Sequence, residues 1–506
     1  MYRSNPDQLD LYDIEFTMPF GGSLKKDNRW VVLASQIDWD LVDEVYRKSF
    51  KKNTNGGQEA YSSRVAFASL YIQRKEKYTD RALVEAIAEN HYMQYFLGYK
   101  EYIDEIPFDP SLLVYFRRRL DDEIMNEIIE RSFAKYAAEE EDDNDKNDGG
   151  IGGGSDNDDE SGEGESDEIK NKGTLIIDAT CAPADIAYPT DLELSDKARR
   201  WTERIIDHCH KKAGAIREDG KKPRTYRKKA RQRFLALNKR RKKPEKKIRK
   251  ELRYQLRCIR RNLAYIDEYE ERFGLDYLYP VELNRLNTIR IFYEQQLWML
   301  ENKTQRIANR IVSLSQPWVR PIVRGKSKSP VEFGMKISIS VVNGYTFIDT
   351  MTFDPYNEGE HEEFEKVIRK YVERFGCYPE RVLADKIYRT QFNRSYCKKH
   401  GIHISGPRLG KRGKNYKELL KQELKEVGER NQVEGKFGNT KRKLGTDLIK
   451  GKTPETSGSM VCMDIFILNM EHLIRSGALC VYFLFVTIET ILRLFGRKNG
   501  LETEPA

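Results

Sequence analysis

From Val331 to Val341 apolar residues recur at every second position, the chain then reads Asn343-Gly344, and a further extended run leads from Tyr345 to Phe353. Alternation on both sides of Asn-Gly, two residues that accept positive φ, predicts a β-hairpin with a type I′ turn. Downstream the period changes. Phe364, Val367, Ile368, Tyr371 and Phe375 share one helical face, which predicts an amphipathic helix over residues 362–375. Two shorter apolar runs, Leu175-Ile-Ile177 and Val382-Leu-Ala384, read as buried strands. Each is followed directly by an aspartate, Asp178 and Asp385. A helix over residues 391–399, a short strand over 401–405 and a charged helical stretch from Lys417 to Lys443 complete this part of the pattern.

Residues 1–137 carry helical periodicity. Val65, Ala68, Leu70 and Ile72 mark one helix, Lys77-Tyr-Thr79 breaks it, and Thr79 caps a second through Asn90. The pair fits a helix-turn-helix or any small bundle. Asp109 and Pro110 predict a further helix start, with Asp109 as N-cap and Pro110 in the first helical position. That helix would present Arg117, Arg118 and Arg119, as phosphate contacts or as a solvated face. Residues 138–170 are almost all Asp, Glu, Ser and Gly and are expected to form a disordered acidic linker. Residues 171–191 hold the first strand, and residues 192–320 form a long basic insertion. Within it, Pro280 opens a helix whose Leu283, Leu286, Tyr293, Leu297 and Leu300 keep an apolar stripe. Residues 321–475 return to alternating strands and helices, and 476–506 form a hydrophobic C-terminal helix and tail. Its apolar run over residues 477–495 is interrupted by Glu489 and Arg493, which favours a packed helix over a membrane anchor.

Charge adds a partner to this picture. The 506 residues are 33% charged and 39% hydrophobic with a formal charge of +9, a soluble composition that favours a polyanion. Arg227, Lys228 and Lys229, then Arg240 and Arg241, lie in basic runs interleaved with Tyr226, Phe234 and Tyr254. Such spacing suits sequence-blind neutralisation of a phosphate backbone. Seven scattered cysteines read as reduced thiols of a cytoplasmic protein, and the polar, acidic N-terminus reads against a secretory signal. His208-Cys209-His210 and Cys397-x-x-His400-x-x-His403 lack a second half at zinc-finger spacing.

The candidate chemistry rests on three acids. Two aspartates after two strands converge if the strands are neighbours, since sites in α/β sheets gather beyond strand ends; each Asp taken singly also suits a turn or a helix cap. On a helix, Arg430, Glu434, Phe437 and Lys441 fall on one stripe, an odd composition for a core face.

These residues resemble the bacterial insertion-sequence DDE transposases of the IS-five and IS-four-like groups. That family's third-acid helix carries Tyr, Arg, Glu and Lys, with two residues between Tyr and Arg, three between Arg and Glu and six between Glu and Lys. Arg430, Glu434 and Lys441 match this spacing, while Val427 occupies the Tyr position and Ile387 stands before Tyr388 where many relatives have Gly. Phe108-Asp-Pro-Ser-Leu-Leu extends the likeness to the N-terminal region.

The resemblance implies an α/β fold with a ribonuclease-H-like catalytic core, a mixed sheet flanked by helices, interrupted after its first strand by the basic helical insertion. It also implies an all-α N-terminal domain for DNA-end recognition or dimerisation. Asp178, Asp385 and Glu434 would be catalytic and hold two Mg²⁺ ions, with Mn²⁺ as a substitute: Asp178 bridging both, Asp385 on one and Glu434 on the other. Arg430 and Lys441 would hold backbone phosphate, and Trp298 and Trp318 either stack on a displaced base or belong to the core. The expected activity is cut-and-paste cleavage and strand transfer at terminal inverted repeats of double-stranded DNA, by a homodimer in the synaptic complex, in the bacterial cytoplasm at the nucleoid and not at a membrane. A non-catalytic transposase-derived DNA-binding protein and a general ribonuclease-H-like nuclease are the alternatives.

Overall fold

The computed structural model describes residues 16–18, 21–50, 59–144, 171–323, 331–406 and 416–477. Among these, seven helices precede the first strand: α1 (Arg29–Gln36), α2 (Trp39–Arg47), α3 (Ser63–Glu76), α4 (Asp80–Glu89), α5 (His91–Phe96), α6 (Leu112–Arg119) and α7 (Asp122–Asn144). β1 (Thr174–Pro183) then leads into α8 (Asp191–Ala213), α9 (Arg227–Asn238), α10 (Glu245–Phe273) and α11 (Pro280–Glu301). β2 (Arg320–Val323), β3 (Val331–Val342), β4 (Tyr345–Thr352), α12 (His361–Phe375), β5 (Arg381–Leu383), α13 (Gln391–Lys399), β6 (His403–Ile404), α14 (Tyr416–Asn439) and α15 (Pro454–Ser476) follow.

The six described strands form one mixed sheet in the order β2-β3-β1-β5-β6, with β4 also paired to β3. β4, β3 and β1 are antiparallel, and β1, β5 and β6 are parallel. This α/β arrangement is compatible with a ribonuclease-H-like core. The β3–β4 turn has φ 47° at Asn343 and 81° at Gly344, as a type I′ turn requires. At Gly344 any larger residue would have to displace the His472 ring, because an added Cβ would lie 2.1 Å from its Nε2.

The helices before β1 do not build a core of their own. Phe466 of α15 meets Phe67 of α3 at 5.0 Å and Phe133 of α7 at 5.2 Å between ring centroids, and Phe133 in turn stacks on Tyr345 of β4 at 5.9 Å. One apolar cluster therefore runs from Trp30 through α15 to the sheet. A second, separate cluster lies between α8, α10 and α11, around Ile205, Ile259, Ile289 and Phe292.

Two expectations change. α6 starts at Leu112 with Ser111 before it, and Asp109 accepts the Ser111 N–H at 2.8 Å in the turn that leads into the helix. α7 runs on to Asn144, so the run Glu139–Asp143 is helical rather than part of a disordered linker; residues 145–170 lie outside the described residues. The apolar stretch 477–495 lies outside them as well, beyond Gly477. No helix among the described residues is long and apolar enough to cross a membrane.

One buried carboxyl gives a prediction. Asp349 of β4 is fully enclosed, and that burial pushes its pKa up to about 6 against the pull of the Arg374 guanidinium at 3.5 Å. Arg374 is already held by Glu130, at 2.6 and 2.7 Å. A carboxyl raised above its unfolded value stabilises the fold fully only below that unfolded value, and the contribution disappears as pH rises through about 6. Asp349→Asn is expected to raise stability at pH 7.5 by about 1–3 kcal/mol and to flatten the fall in stability between pH 4 and 7. Urea unfolding across that range measures it; a destabilised, equally pH-dependent variant would rule it out.

Candidate functional site

Asp178 sits within β1 rather than at its end, because β3 pairs with β1 as far as Pro183. Its Oδ1 accepts the Ala179 N–H at 2.7 Å. β5 is shorter and stops at Leu383, which lies opposite Ile176. Continuing that parallel register by two residues brings Asp385 level with Asp178. There Asp385 caps the 3₁₀ turn Lys386–Tyr388, its Oδ1 accepting the Lys386 N–H at 2.7 Å.

α14 crosses this end of the two strands. Val433 is buried and Phe437 packs with it against Ile176, Ile337 and Leu383. With that face fixed, Arg430 and Glu434 border the strand ends, and Nη1 of Arg430 reaches Oδ1 of Asp385 at 3.1 Å. The helix then widens into a π-helical turn, Thr440–Leu444. From it Lys441 donates through Nζ to Oγ1 of Thr180 at 3.0 Å.

The charges at this end are coupled. Burial raises the pKa of Asp178; the Ala179 N–H and the Arg430 guanidinium oppose the shift, and the negative charges of Asp385 and Glu434 add to it. Three carboxylates from three separate parts of the chain thus share one electrostatic neighbourhood, partly neutralised by Arg430. Like charges held this close favour a cation between them. Their oxygen donors are those a hard divalent ion takes, and the exposed Asp385 and Glu434 leave room for water in its shell. Among the described residues no three His, Cys, Asp or Glu side chains converge as they stand on one ion position.

Tyr388 was not singled out from the sequence as a site residue. Its buried hydroxyl has no hydrogen-bond partner among the described residues, and burial together with the charge of Asp178 holds its proton well above the usual tyrosine range. The aromatic after Asp385 was visible in the sequence, but its return towards Asp178 depends on the 3₁₀ turn.

The other expected contacts divide. Arg117 is 6% exposed and donates to Asp80 at 2.7 and 3.1 Å and to Gln73 at 2.8 Å, so it ties α6 to α3 and α4 and is not available to phosphate. Arg119 lies over the Phe50 ring at 4.4 Å, and Arg118 is exposed. Arg227 is bound by both oxygens of Asp207 at 2.8 Å. Lys228, Lys229, Arg240 and Arg241 are exposed. Trp298 is exposed on α11, whereas Trp318 packs on Ala184, Val312 and Val319 as a core residue. His208 has Glu282 at 2.8 Å and His403 has Glu426 at 2.8 Å, while His400 stacks on Tyr378 at 4.5 Å.

Two family models match the chain. One, described as a transposase DDE domain, covers residues 382–471 and includes Asp385 and Glu434. The other, described as a transposase domain (DUF772), covers residues 19–119. The chain is also similar to the uncharacterized protein ORF8 in the nfe locus of Rhizobium meliloti, with 23% identity over 37% of this chain and 76% of that protein. No solved structure matches. A transposase model thus matches both the N-terminal helices and the segment that carries the second and third acids, and in these two stretches the chain is similar to transposases.

Proposed function

We propose that the chain is a cut-and-paste transposase that cleaves DNA at the terminal inverted repeats of an insertion sequence of the IS-five and IS-four-like groups and joins the freed ends to a target. The observation that carries this reading is the coupling of Asp178 to Asp385, Glu434 and Arg430 where β5 ends beside the middle of β1. In this reading the three carboxylates hold two Mg²⁺ ions, with Mn²⁺ as a substitute. When bound, such a pair supplies activation of an attacking oxygen and stabilisation of the leaving oxygen in an in-line displacement at phosphorus. Arg430 exchanges its bond to Asp385 for a bond to the backbone phosphate as DNA enters, and its planar fork suits that partner. Lys441, held over β1 by Thr180, supplies a second cation on the far side of Glu434. Lys228, Lys229, Arg240 and Arg241 contact flanking duplex, Arg118 contacts DNA from the N-terminal helices, and Trp298 is the residue available to stack on a displaced base.

The helices before β1 then serve end recognition or pairing of two copies, α8–α11 form an inserted DNA-binding unit, and the protein works as a dimer on chromosomal DNA in the cytoplasm. The test is excision. The gene with its native flanking DNA is placed on a plasmid, protein is supplied with Mg²⁺, and broken ends are mapped. Cuts at matching repeats on both sides are expected. Cuts that ignore the ends would replace this reading with a general nuclease, and binding without cuts would replace it with a non-catalytic DNA-binding protein.

A further inference from the structure

Along α10, Lys246, Lys250, Arg253, Arg257 and Arg260 recur at intervals of three and four residues and so lie on one stripe. All five are exposed, and none has a carboxylate partner or a side-chain hydrogen bond among the described residues. The opposite face of the same helix, Leu252, Leu256, Ile259, Leu263 and Ile266, is buried in the core shared with α8 and α11.

The neighbouring cations behave differently. Arg249 pairs with Glu245 at 2.6 Å, Arg233 with Glu251 at 2.9 Å and Arg290 with Asp267 at 2.8 Å. Arg261 donates to the Thr225 carbonyl at 2.5 Å. These cations beside the packing are paired, whereas the five of the α10 stripe are not. Like charges one turn apart on a helix repel, so the stripe weakens the isolated helix unless an anion faces it.

Two further features say what the anion is. The stripe spans about 21 Å, the axial length of about six base pairs, so an extended polyanion matches it better than a single small one. Arg253, Arg257 and Arg260 also form one wall of a cleft of about 430 Å³, whose other side holds Tyr293 and Leu297 of α11 and which is also lined by Lys303 and one carboxylate, Glu301. Cations beside an apolar floor suit a sugar-phosphate backbone, which offers charge on one side and carbon on the other.

We propose that this face of α10, with the cleft it shares with α11, is a docking surface for the phosphate backbone of duplex DNA, reading charge and not sequence. The proposal rests on the DNA-acting function above and adds a surface that its acid site does not include.

The test measures binding of the full chain to an arbitrary 30-base-pair duplex by fluorescence anisotropy across a salt series. Wild type is compared with the triple variant Arg253→Gln, Arg257→Gln, Arg260→Gln. Three lost phosphate contacts should lower the slope of log affinity against log salt by about 2.7, which at 0.1 M salt is roughly a 500-fold loss if the lines converge at 1 M. The triple replacement by lysine at the same positions should keep the slope. A charge-matched control, Arg369→Gln, Lys398→Gln, Lys399→Gln on α12 and α13, should leave it unchanged.

A slope unaltered by the α10 variant overturns the assignment and leaves an acidic protein as the occupant of the face. An equal fall in the control overturns it too, since the effect is then one of net charge. A wild-type chain that binds no DNA overturns the function proposed above together with this surface.

Discussion

Glu434→Gln is expected to retain DNA binding and to lose strand cleavage by about 10³-fold or more. The amide keeps the shape of the side chain and removes one negative charge from the cluster around Asp178. Charge stabilisation worth about 4 kcal/mol or more is lost from the transition state if the carboxylate is a metal ligand, and each 1.36 kcal/mol is tenfold in rate. The fold should not change, because Glu434 is exposed and its helix is held by the burial of Val433 and the packing of Phe437. The basic surfaces are untouched, so affinity for the terminal repeats stays within about twofold. Ends mapped on the excision plasmid, beside a binding titration of the same protein, separate the two quantities. Cleavage at wild-type rate would remove Glu434 from the acid set; loss of binding together with cleavage would make it a structural residue.

Arg74→Met and Asp464→Leu are each expected to destabilise the chain by about 3–5 kcal/mol, the cost of leaving one member of a buried ion pair without the other. Arg74, at the end of α3, meets both oxygens of Asp464 on α15, at 2.7 and 2.6 Å, and Thr446 completes the set at 2.7 Å. The Asp464 side chain is 1% exposed. Lys77 meanwhile donates to the carbonyl of Arg442 at 2.7 Å, inside the π-helical turn that carries Lys441. The end of α3 therefore braces α15 and the acid helix together. The double variant Arg74→Met, Asp464→Leu should cost much less than the two single losses added, since it leaves no orphaned charge. Urea unfolding of the four proteins closes the cycle. Additive losses would show that the pair is not coupled.

Much of the sheet was legible because its signals are local. Asn343-Gly344 dictates a turn whatever surrounds it, Thr79 caps α4, and Pro280 opens α11. The two strand aspartates were legible as well, although Asp178 proved to lie inside its strand, since the length of β1 is set by pairing with β3 and not by its own apolar run. α15 left no such signal. Buried from Thr456 through Met470, it has no polar face to define a period, and only its position between α3, α7 and β4 explains it. Arg117 misled for the opposite reason: three consecutive arginines look like one surface, and the partner that buries the first, Asp80, is visible only in three dimensions. Likewise Arg227 reads as free until Asp207 is placed beside it.

The parallel pairing of Leu175 with Val382 sets an order of events during synthesis. At ribosomal speeds of about 5–20 residues per second, β1 waits roughly 10–40 s for its neighbour β5. In that interval α8, α10 and α11 have everything needed to close their own core. A chain halted anywhere short of Glu434 carries at most two of the three acids, and one halted before Asp464 also lacks the partner of Arg74. A growing chain therefore completes its basic bundle before it holds all three acids.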